Sequence, residues 1–515
     1  MKSVKYVCLF LISFVSEIIA QVDSANSLKA LKSLEVWLAT PVVQRPALSD
    51  QSFSLTPLTK SDAQSARTLL WNDKVQRLKT ALTAQWTAKQ FNYGAYKMKF
   101  DFREYGTAPT DGRSLYISMH GGGLTTTAVN DQQWANQIVL YQSVNQPKEG
   151  IYLAPRAPTD DWNMWFKDHI DPFFEMIIQS AIVFKNVNPN KVYLLGYSAG
   201  GDGAYQMGPR MADRWAAASA MAGHPNAMTP LNLRNIGFTI HMGGNDKAYG
   251  RDTMAVVWKR KLDSLQQADV SGYKHDVQVH AGLPHWMNLE DAVAFTWMAP
   301  FRRNVIPERI VWRQSDVLHT NFYWVGVPKS KVKHDQQVTV ERAGQEVRIT
   351  QSVSFDSLYI FLNDSLADLD KKVFVQFLGK QIFSGKVART IRTMWESLES
   401  RADPNYIFSS CLKADLINGK IDNQVDIKKP SESRNSLTDN IPAFTVNNKM
   451  LCINTKEKKT HSLTLTTLQG EILLFQKNST GNATTYVDCT QFQSGCYVVT
   501  LLSEKRVYAR KLVLQ

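Results

Sequence analysis

The feature that most constrains this chain is the run VYLLGYSAGGDG from Val192 to Gly203. Four apolar residues lead into Gly196, a single serine is flanked two residues away on each side by glycine, and more glycines follow. A backbone so stripped of side chains suits a sharp strand-to-helix turn that presents Ser198 at its tip. The spacing predicts a strand ending near Tyr197 and a helix from Ala199 to about Met211. A buried strand that feeds directly into a helix belongs to a layered α/β architecture.

The flanking sequence fits that architecture. From Tyr96, short apolar strands (YKMKFDF, LYISMH, IYLAP, VYLLGY, AAASAMAG, FTIHMG, VQVHAG) alternate with helical stretches. Asp171 and Pro172 stand as N-cap and first helical residue of DPFFEMIIQSAIVF. Met254, Val257, Trp258 and Leu262 share a helix face. Such alternation implies a mostly parallel sheet covered by helices. Upstream, Trp71, Val75, Leu78, Leu82 and Trp86 recur at helical spacing, and Ser61 with Gln64 forms a capping-box pattern, so a helix is expected over 61–89.

Beyond Pro307 the apolar period changes to two, as in IVWRQ, QVTVER, EVRITQ and SLYIFLN, with a hairpin at Gly379 and one helix near 387–400. Residues 409–440 have linker composition, and the last block carries alternating strands with turns at Gly470, Gly495 and Lys505. The expected organisation is a signal peptide at 1–20, an N-terminal lead at 21–60 and an α/β domain at 61–305. A β-sandwich-like accessory domain at 306–403, a linker at 404–440 and a small all-β domain at 441–515 follow.

The N-terminus, MKSVKYVCLFLISFVSEIIAQ, has a basic start and an apolar run that Ser16 and Glu17 cut short. That pattern is a secretory signal cleaved near Ala20 and is too short for a stable membrane span. Of five cysteines, Cys8 falls in this segment; Cys411, Cys452, Cys489 and Cys496 lie toward the C-terminal end, either paired or as buried thiols. The net charge of +13 comes from scattered Lys and Arg rather than a patch, which argues against nucleic-acid binding. The chain has no HExxH, Walker A or dinucleotide fingerprint, so no cofactor and no metal is expected.

A serine hydroxyl needs a base, an acid behind the base, and amide donors for the oxyanion. The strand LYISMH runs into Gly121, Gly122 and Gly123, a loop suited to supply such donors together with the amide of Ala199. Asp246 follows the strand FTIHMG on a Gly243–Gly244 turn; Asp252 reads better as a helix cap. His285 lies in the loop beyond the strand VQVHAG, whereas His280 is still in the strand. The order Ser198, Asp246, His285 leaves room for one helix and one strand between each pair. His120, Trp162, Trp165, Trp286 and His224 are the candidates to line the site. Asn130, Asp131 and Trp134 either shape it or cap a helix, and Asp202 is expected to make a structural hydrogen bond.

With HGGG, NDQQW, APRAPTDDWNMW, GYSAGGDGAYQMGPRMADRW, MGGNDKAYGR and PHWM in place, residues from about Arg67 to Phe301 resemble the α/β-hydrolase superfamily. They look most like secreted esterases grouped with polyhydroxybutyrate depolymerases and feruloyl or acetylxylan esterases. The resemblance implies Ser198 as nucleophile, His285 as base, Asp246 as its partner, and amides at Gly122 and Ala199 for the oxyanion. It implies a carboxylic ester substrate, on polysaccharide or in a polyester. A peptidase similar to prolyl oligopeptidase shares the triad order but carries a propeller that is missing here. A surface binding protein with an idle triad is the reading outside enzymes. The C-terminal GEILLF, YVD and SGCYVVTLLSEKRVYARKLVLQ resemble the sorting domain of the type IX secretion pathway of Bacteroidota, with Cys496 where many relatives carry an aliphatic residue. This implies export to the cell surface or the medium and the type IX machinery as a partner.

Overall fold

The computed structural model describes residues 22–143 and 146–422, then 443–447, 450–454, 461–467, 472–478, 484–503 and 506–514. The expected signal peptide and the turns at Gly470 and Lys505 lie outside the described residues.

The chain opens with helices α1 (Ser24–Ala39) and α2 (Lys60–Thr87). Thr59, not Ser61, caps α2: its hydroxyl accepts the Asp62 amide at 3.1 Å and donates to the Asp62 carboxylate at 2.9 Å. Then follow β1 (Gln90–Tyr93), β2 (Tyr96–Tyr105), β3 (Arg113–Met119), α3 (Thr127–Val139), β4 (Gly150–Pro155) and α4 (Ile170–Lys185). Next come β5 (Val187–Tyr197), α5 (Ala199–Arg210), β6 (Ala217–Met221), β7 (Gly237–Gly243), α6 (Arg251–Ala268), β8 (His275–His280) and α7 (Val293–Met298).

The eight strands form one sheet in the order β1-β2-β4-β3-β5-β6-β7-β8. Strand β2 is antiparallel to both neighbours, and β4 to β8 pair in parallel around β3 and β5. This is the α/β-hydrolase arrangement. Strands β4, β6 and β7 are buried throughout, as parallel strands covered on both faces must be. Leu78, Phe174, Tyr205 and Trp258 from α2, α4, α5 and α6 cover one face. Trp134 from α3 and Phe295 from α7 pack in the core of the other.

The second part holds β9 (Arg309–Arg313), β10 (Asn321–Phe322), β11 (Val325–Gly326), β12 (Gln337–Ala343), β13 (Glu346–Val353), β14 (Ser357–Leu362), β15 (Val373–Phe377), β16 (Lys380–Gly385), α8 (Ile391–Arg401), β17 (Ser410–Asp415) and β18 (Lys420–Asp422). Two five-stranded sheets, β16-β15-β13-β12-β9 and β10-β11-β14-β17-β18, share a core that includes Val338, Val340, Ile349, Leu358, Ile360 and Leu412. The expected linker therefore begins too early. Residues 410–415 alternate strictly in burial and pair with β14 along their length, so this part runs to Asp422 rather than 403. Lys413, Asp415, Lys420 and Asp422 take the less buried positions of two strands and Asn418 the turn between them, which together mimic linker composition.

Polar burial joins this sandwich to the sheet. Asp403 has no solvent exposure and accepts from Arg214 at 3.1 Å, from Arg303 at 2.6 Å and from the Asn405 amide at 2.8 Å. Burial alone would raise the Asp403 carboxyl, but the two guanidinium groups hold it below the usual range. Arg401 pairs with buried Asp213, whose carbonyl accepts from Tyr406 at 3.0 Å. Asp171 is not an N-cap: it lies inside α4, where it pairs with Arg210 at 2.5 Å and His319 at 2.8 Å. The lead packs here too, since Leu34 and Trp37 of α1 share a cluster with Leu70 of α2 and Ile391 and Leu398 of α8.

The C-terminal unit is a separate body. It holds β19 (Ala443–Asn447), β20 (Met450–Asn454), β21 (His461–Thr467), β22 (Ile472–Asn478), β23 (Thr484–Asp488), β24 (Gly495–Ser503) and β25 (Arg506–Leu514). They form sheets β19-β20-β23 and β22-β21-β24-β25 over a core of Leu451, Ile453, Leu465, Val487, Val499 and Leu501. Cys411, Cys452 and Cys489 are free thiols. Among the described residues no helix is long and apolar enough to cross a membrane.

Breaking the buried cluster leaves two guanidinium groups without their shared carboxylate. Asp403→Ala is expected to cost about 3–5 kcal/mol of stability, read as a lower urea midpoint for residues 22–422 as one cooperative transition.

Candidate active site

Ser198 stands between β5 and α5 at φ 58°, ψ −119°, a conformation that costs a non-glycine residue on the order of 1–3 kcal/mol. The surroundings enforce it. A Cβ on Gly196 would lie 2.1 Å from the Gly200 carbonyl oxygen, and one on Gly200 would lie 2.2 Å from that of Met119. Only glycine two residues either side of the serine lets the strand, the helix and the end of β3 approach this closely.

The structure brings the three separated side chains together. His285 Nε2 is 2.9 Å from Ser198 Oγ, and His285 Nδ1 is 2.6 Å from Asp246 Oδ2. Asp246 is buried, whereas the His285 side chain is 42% exposed. Arg251 lies 3.5 Å from the other Asp246 oxygen. All three follow the C-terminal ends of parallel strands β5, β7 and β8, where open sheets gather their loops. Asp252 instead pairs with Lys247 at 2.5 Å, and His280 with Glu290 at 3.0 Å.

Gly121 and Gly122 face Ser198 from the loop after β3. A Cβ on Gly121 would touch Ser198 Cβ at 3.2 Å, and Gly122 has φ +100°. Neither the Gly122 nor the Ala199 amide has a hydrogen-bond partner among the described residues. The loop is fixed from behind. Trp165 Nε1 donates to the His120 carbonyl at 2.8 Å, and His120 Nδ1 lies 2.6 Å from the Gly121 carbonyl. His120 Nε2 accepts the Ala157 amide at 3.1 Å, so the neutral ring carries its proton on Nδ1 and donates it to Gly121. Burial pushes His120 down to about 4, which keeps it neutral. Because the peptide is trans and planar, holding the Gly121 carbonyl toward His120 turns the Gly122 N–H the opposite way. Asn130 Oδ1 accepts the Gly123 amide at 2.8 Å.

His120 and Trp165 thus do not line the site: both have no solvent exposure and act as its backing. His224 is also displaced from the expected role. It accepts the Asn226 amide at 3.0 Å, while its own amide donates to Asp202 at 2.6 Å, and it is not among the residues lining the cleft over Ser198. Trp162 is exposed beside Gly123 but is not among the residues lining the cleft, whereas Trp286 does line it. Asp131 pairs with Arg156 at 2.8 Å, and Trp134 Nε1 donates to the Ala154 carbonyl at 2.9 Å.

The cleft measures about 610 Å³. Val129, Val139, Leu140, Tyr197, Trp286 and Leu289 give it apolar walls, Gln133 and Asn136 contribute amides, and among the described residues no Asp, Glu, Lys or Arg lines it. Sequence reasoning passed over Gln133, Leu289 and Tyr197. Tyr197 alone carried a signal, its place next to Ser198. Among the described residues no cluster of His, Cys, Asp or Glu is suited to a metal ion.

Residues 447–515 match the family described as "Secretion system C-terminal sorting domain". The C-terminal module is a type IX sorting domain. It addresses the chain for export to the cell surface or the medium. No match to the chain is found among curated proteins. Among solved structures, the chain is similar to a thermostable esterase at 18% identity and TM-score 0.33, over 42% of this chain and 62% of that one, so it spans less than two thirds of that esterase. It is similar to a ferulic acid esterase at 14% identity and TM-score 0.28, over 39% and 98%. A feruloyl esterase module from Clostridium thermocellum, complexed with sinapinate, stands at 12% identity and TM-score 0.28, over 39% and 88%.

Asp202 gives the site a measurable pH signature. Burial pushes its carboxyl up to about 6, against the opposing His224 amide and Arg251. The folded chain then binds more protons than the unfolded one between about pH 4 and 6, so this group's contribution to stability falls as pH rises through that window. Asp202→Asn is expected to unfold at higher denaturant than wild type at pH 7.5, with the gap closing by pH 4. A gap that is constant with pH would contradict the assignment.

Proposed function

We propose that this chain is an exported serine hydrolase that cleaves carboxylic esters through an acyl-enzyme. The observation that carries the reading is the continuous hydrogen-bond chain Ser198–His285–Asp246 ending on a strained serine, with two unpartnered amides beside it. In this reading Ser198 Oγ attacks the ester carbonyl carbon while His285 Nε2 takes the hydroxyl proton. Asp246 keeps the ring in the tautomer that leaves Nε2 free to accept, and stabilises the imidazolium that forms. The tetrahedral oxyanion sits against the N–H groups of Gly122 and Ala199, at the N-terminus of α5, where the helix dipole adds partial positive charge. The intermediate collapses, the C–O bond to the alcohol breaks, and His285 returns its proton to the leaving oxygen. Water then repeats the sequence on the acyl-Ser198 and releases the acid.

The cleft supports an uncharged substrate. A carboxylate or ammonium group near Ser198 would lose its hydration against Trp286, Leu289 and Val139 without a charged partner to replace it. An ester with an apolar acyl or alcohol group of several carbons fits these walls. The exposed Trp286 in the cleft wall suits stacking on a sugar ring or an aromatic acyl group, which supports esters borne on polysaccharide over free small esters.

The test is paired kinetics on p-nitrophenyl acetate, butyrate, feruloyl and hemisuccinate esters. Wild type is expected to favour butyrate or feruloyl over the anionic hemisuccinate, and Ser198→Ala to lose about a thousandfold or more in kcat/KM. Undiminished turnover in Ser198→Ala would remove Ser198 from the reaction. A preference for the hemisuccinate would refute the neutral cleft.

A further inference from the structure

We infer that Tyr197, the residue immediately before the candidate nucleophile, is a positioning residue that ties the His285 loop to the serine turn through a single phenol oxygen. The inference rests on the serine-hydrolase reading above. The Tyr197 hydroxyl donates to the His285 carbonyl at 2.7 Å and accepts the Met287 amide at 3.0 Å. One oxygen therefore bridges the two backbone groups that flank Trp286.

The loop needs such a bridge. The His285 ring is half-exposed, so packing does not hold it. Its Nδ1 is held by Asp246, but a ring pinned at one nitrogen can still swing unless its backbone is also fixed. The backbone anchors of residues 282–284 run to the Asp246 side of the loop: the Asn245 amide donates to the Leu283 carbonyl at 2.9 Å, and Asn245 Nδ2 to the Gly282 carbonyl at 3.0 Å. At the His285 carbonyl and the Met287 amide the anchor is Tyr197, while the Met287 carbonyl accepts the Glu290 amide at 3.0 Å. The phenol ring also lies edge-on to His285 at 6.0 Å between centroids and tilted against Trp286 at 5.8 Å. Tyr197 is the last residue of β5, so its Cα is as fixed as the sheet, and its hydroxyl carries that rigidity across to the base. A burial-raised phenol keeps its proton at every working pH and so stays a donor to the His285 carbonyl.

The geometry separates positioning from mere packing. Tyr197→Phe keeps the ring and its contacts but removes both hydrogen bonds. His285 Nε2 then loses its fixed approach to Ser198 Oγ while the apolar walls of the cleft stay in place. The expected result is a fall in kcat on the order of a hundredfold, the scale of a displacement of about 1 Å in a reacting group, with KM within about twofold.

The experiment uses the full chain and reports kcat per site titrated with a fluorophosphonate, so that unfolded protein is not counted. Tyr193→Phe is the control. That phenol is also buried; its one proton is shared between the Ala299 and Phe301 carbonyls at 3.1 and 2.9 Å and its oxygen accepts from Arg302 at 3.1 Å, away from the loop. It is expected to lower the melting temperature and leave kcat per titrated site unchanged. If Tyr197→Phe behaves like Tyr193→Phe, the inference is overturned. If Tyr197→Phe does not fold, hydrogen exchange on wild type decides instead: a slowly exchanging Met287 amide supports the bridge, and one exchanging at the rate of an open loop overturns it. Wild type that is folded but neither titrates nor turns over any ester would instead sink the serine-hydrolase reading itself.

Discussion

The approach of three backbones at Ser198 is the constraint on which the rest depends. The end of β3, the end of β5 and the first turn of α5 meet so closely that Gly196 and Gly200 have no room for a Cβ. The same crowding turns Ser198 into a positive-φ conformation and points its hydroxyl out of the sheet. It also sets Gly121 against Ser198, so the glycine loop arrives at the serine without a separate recognition device. The strain at one residue is held among the parallel strands β3, β5 and β6, which are buried at the end where Ser198 stands and so have no freedom to relax.

Around that point the molecule is layered in support. His120 and Trp165 hold the carbonyls of Gly121 and His120, Asn130 holds the Gly123 amide, and the Gly122 amide between them is left without a partner among the described residues. Each backing residue of the glycine loop is neutral or paired, so the electrostatics near Ser198 come from backbone dipoles and from the fixed group Asp246, Arg251 and Asp202. The β-sandwich beyond Pro307 is bound to the same sheet through buried carboxylates at Asp403, Asp213 and Asp171. A domain held through charges this deeply buried cannot swing on a hinge without stranding them, so it acts as a brace for the strands rather than as a lid.

The parts legible in the sequence were those with local chemistry. Gly-x-Ser-x-Gly announced its own turn, and the strand-end positions of Asp246 and His285 followed from counting strands. The period change near Pro307 marked the sandwich. What stayed hidden was set by partners far away in the chain. Asp171 beside Pro172 carries every local sign of a helix cap, yet Arg210 draws it into an ion pair and His319 into a hydrogen bond. His120 and Trp165 sit in loops next to the site, where aromatic side chains often face a ligand; here the loop carbonyls claim their N–H groups. Strands β17 and β18 read as linker because a strand buried on one face needs only alternate apolar residues, and Lys413, Asp415, Lys420 and Asp422 take other positions.

The most direct test of the account is covalent. The folded chain would be treated with a fluorophosphonate and the adduct mapped by mass spectrometry, alongside His285→Ala. The account predicts one adduct, at Ser198, formed on the order of a thousandfold more slowly in His285→Ala, since the base and nucleophile act as a unit. A folded chain that takes no adduct, takes it at another serine, or reacts equally fast without His285 would contradict it.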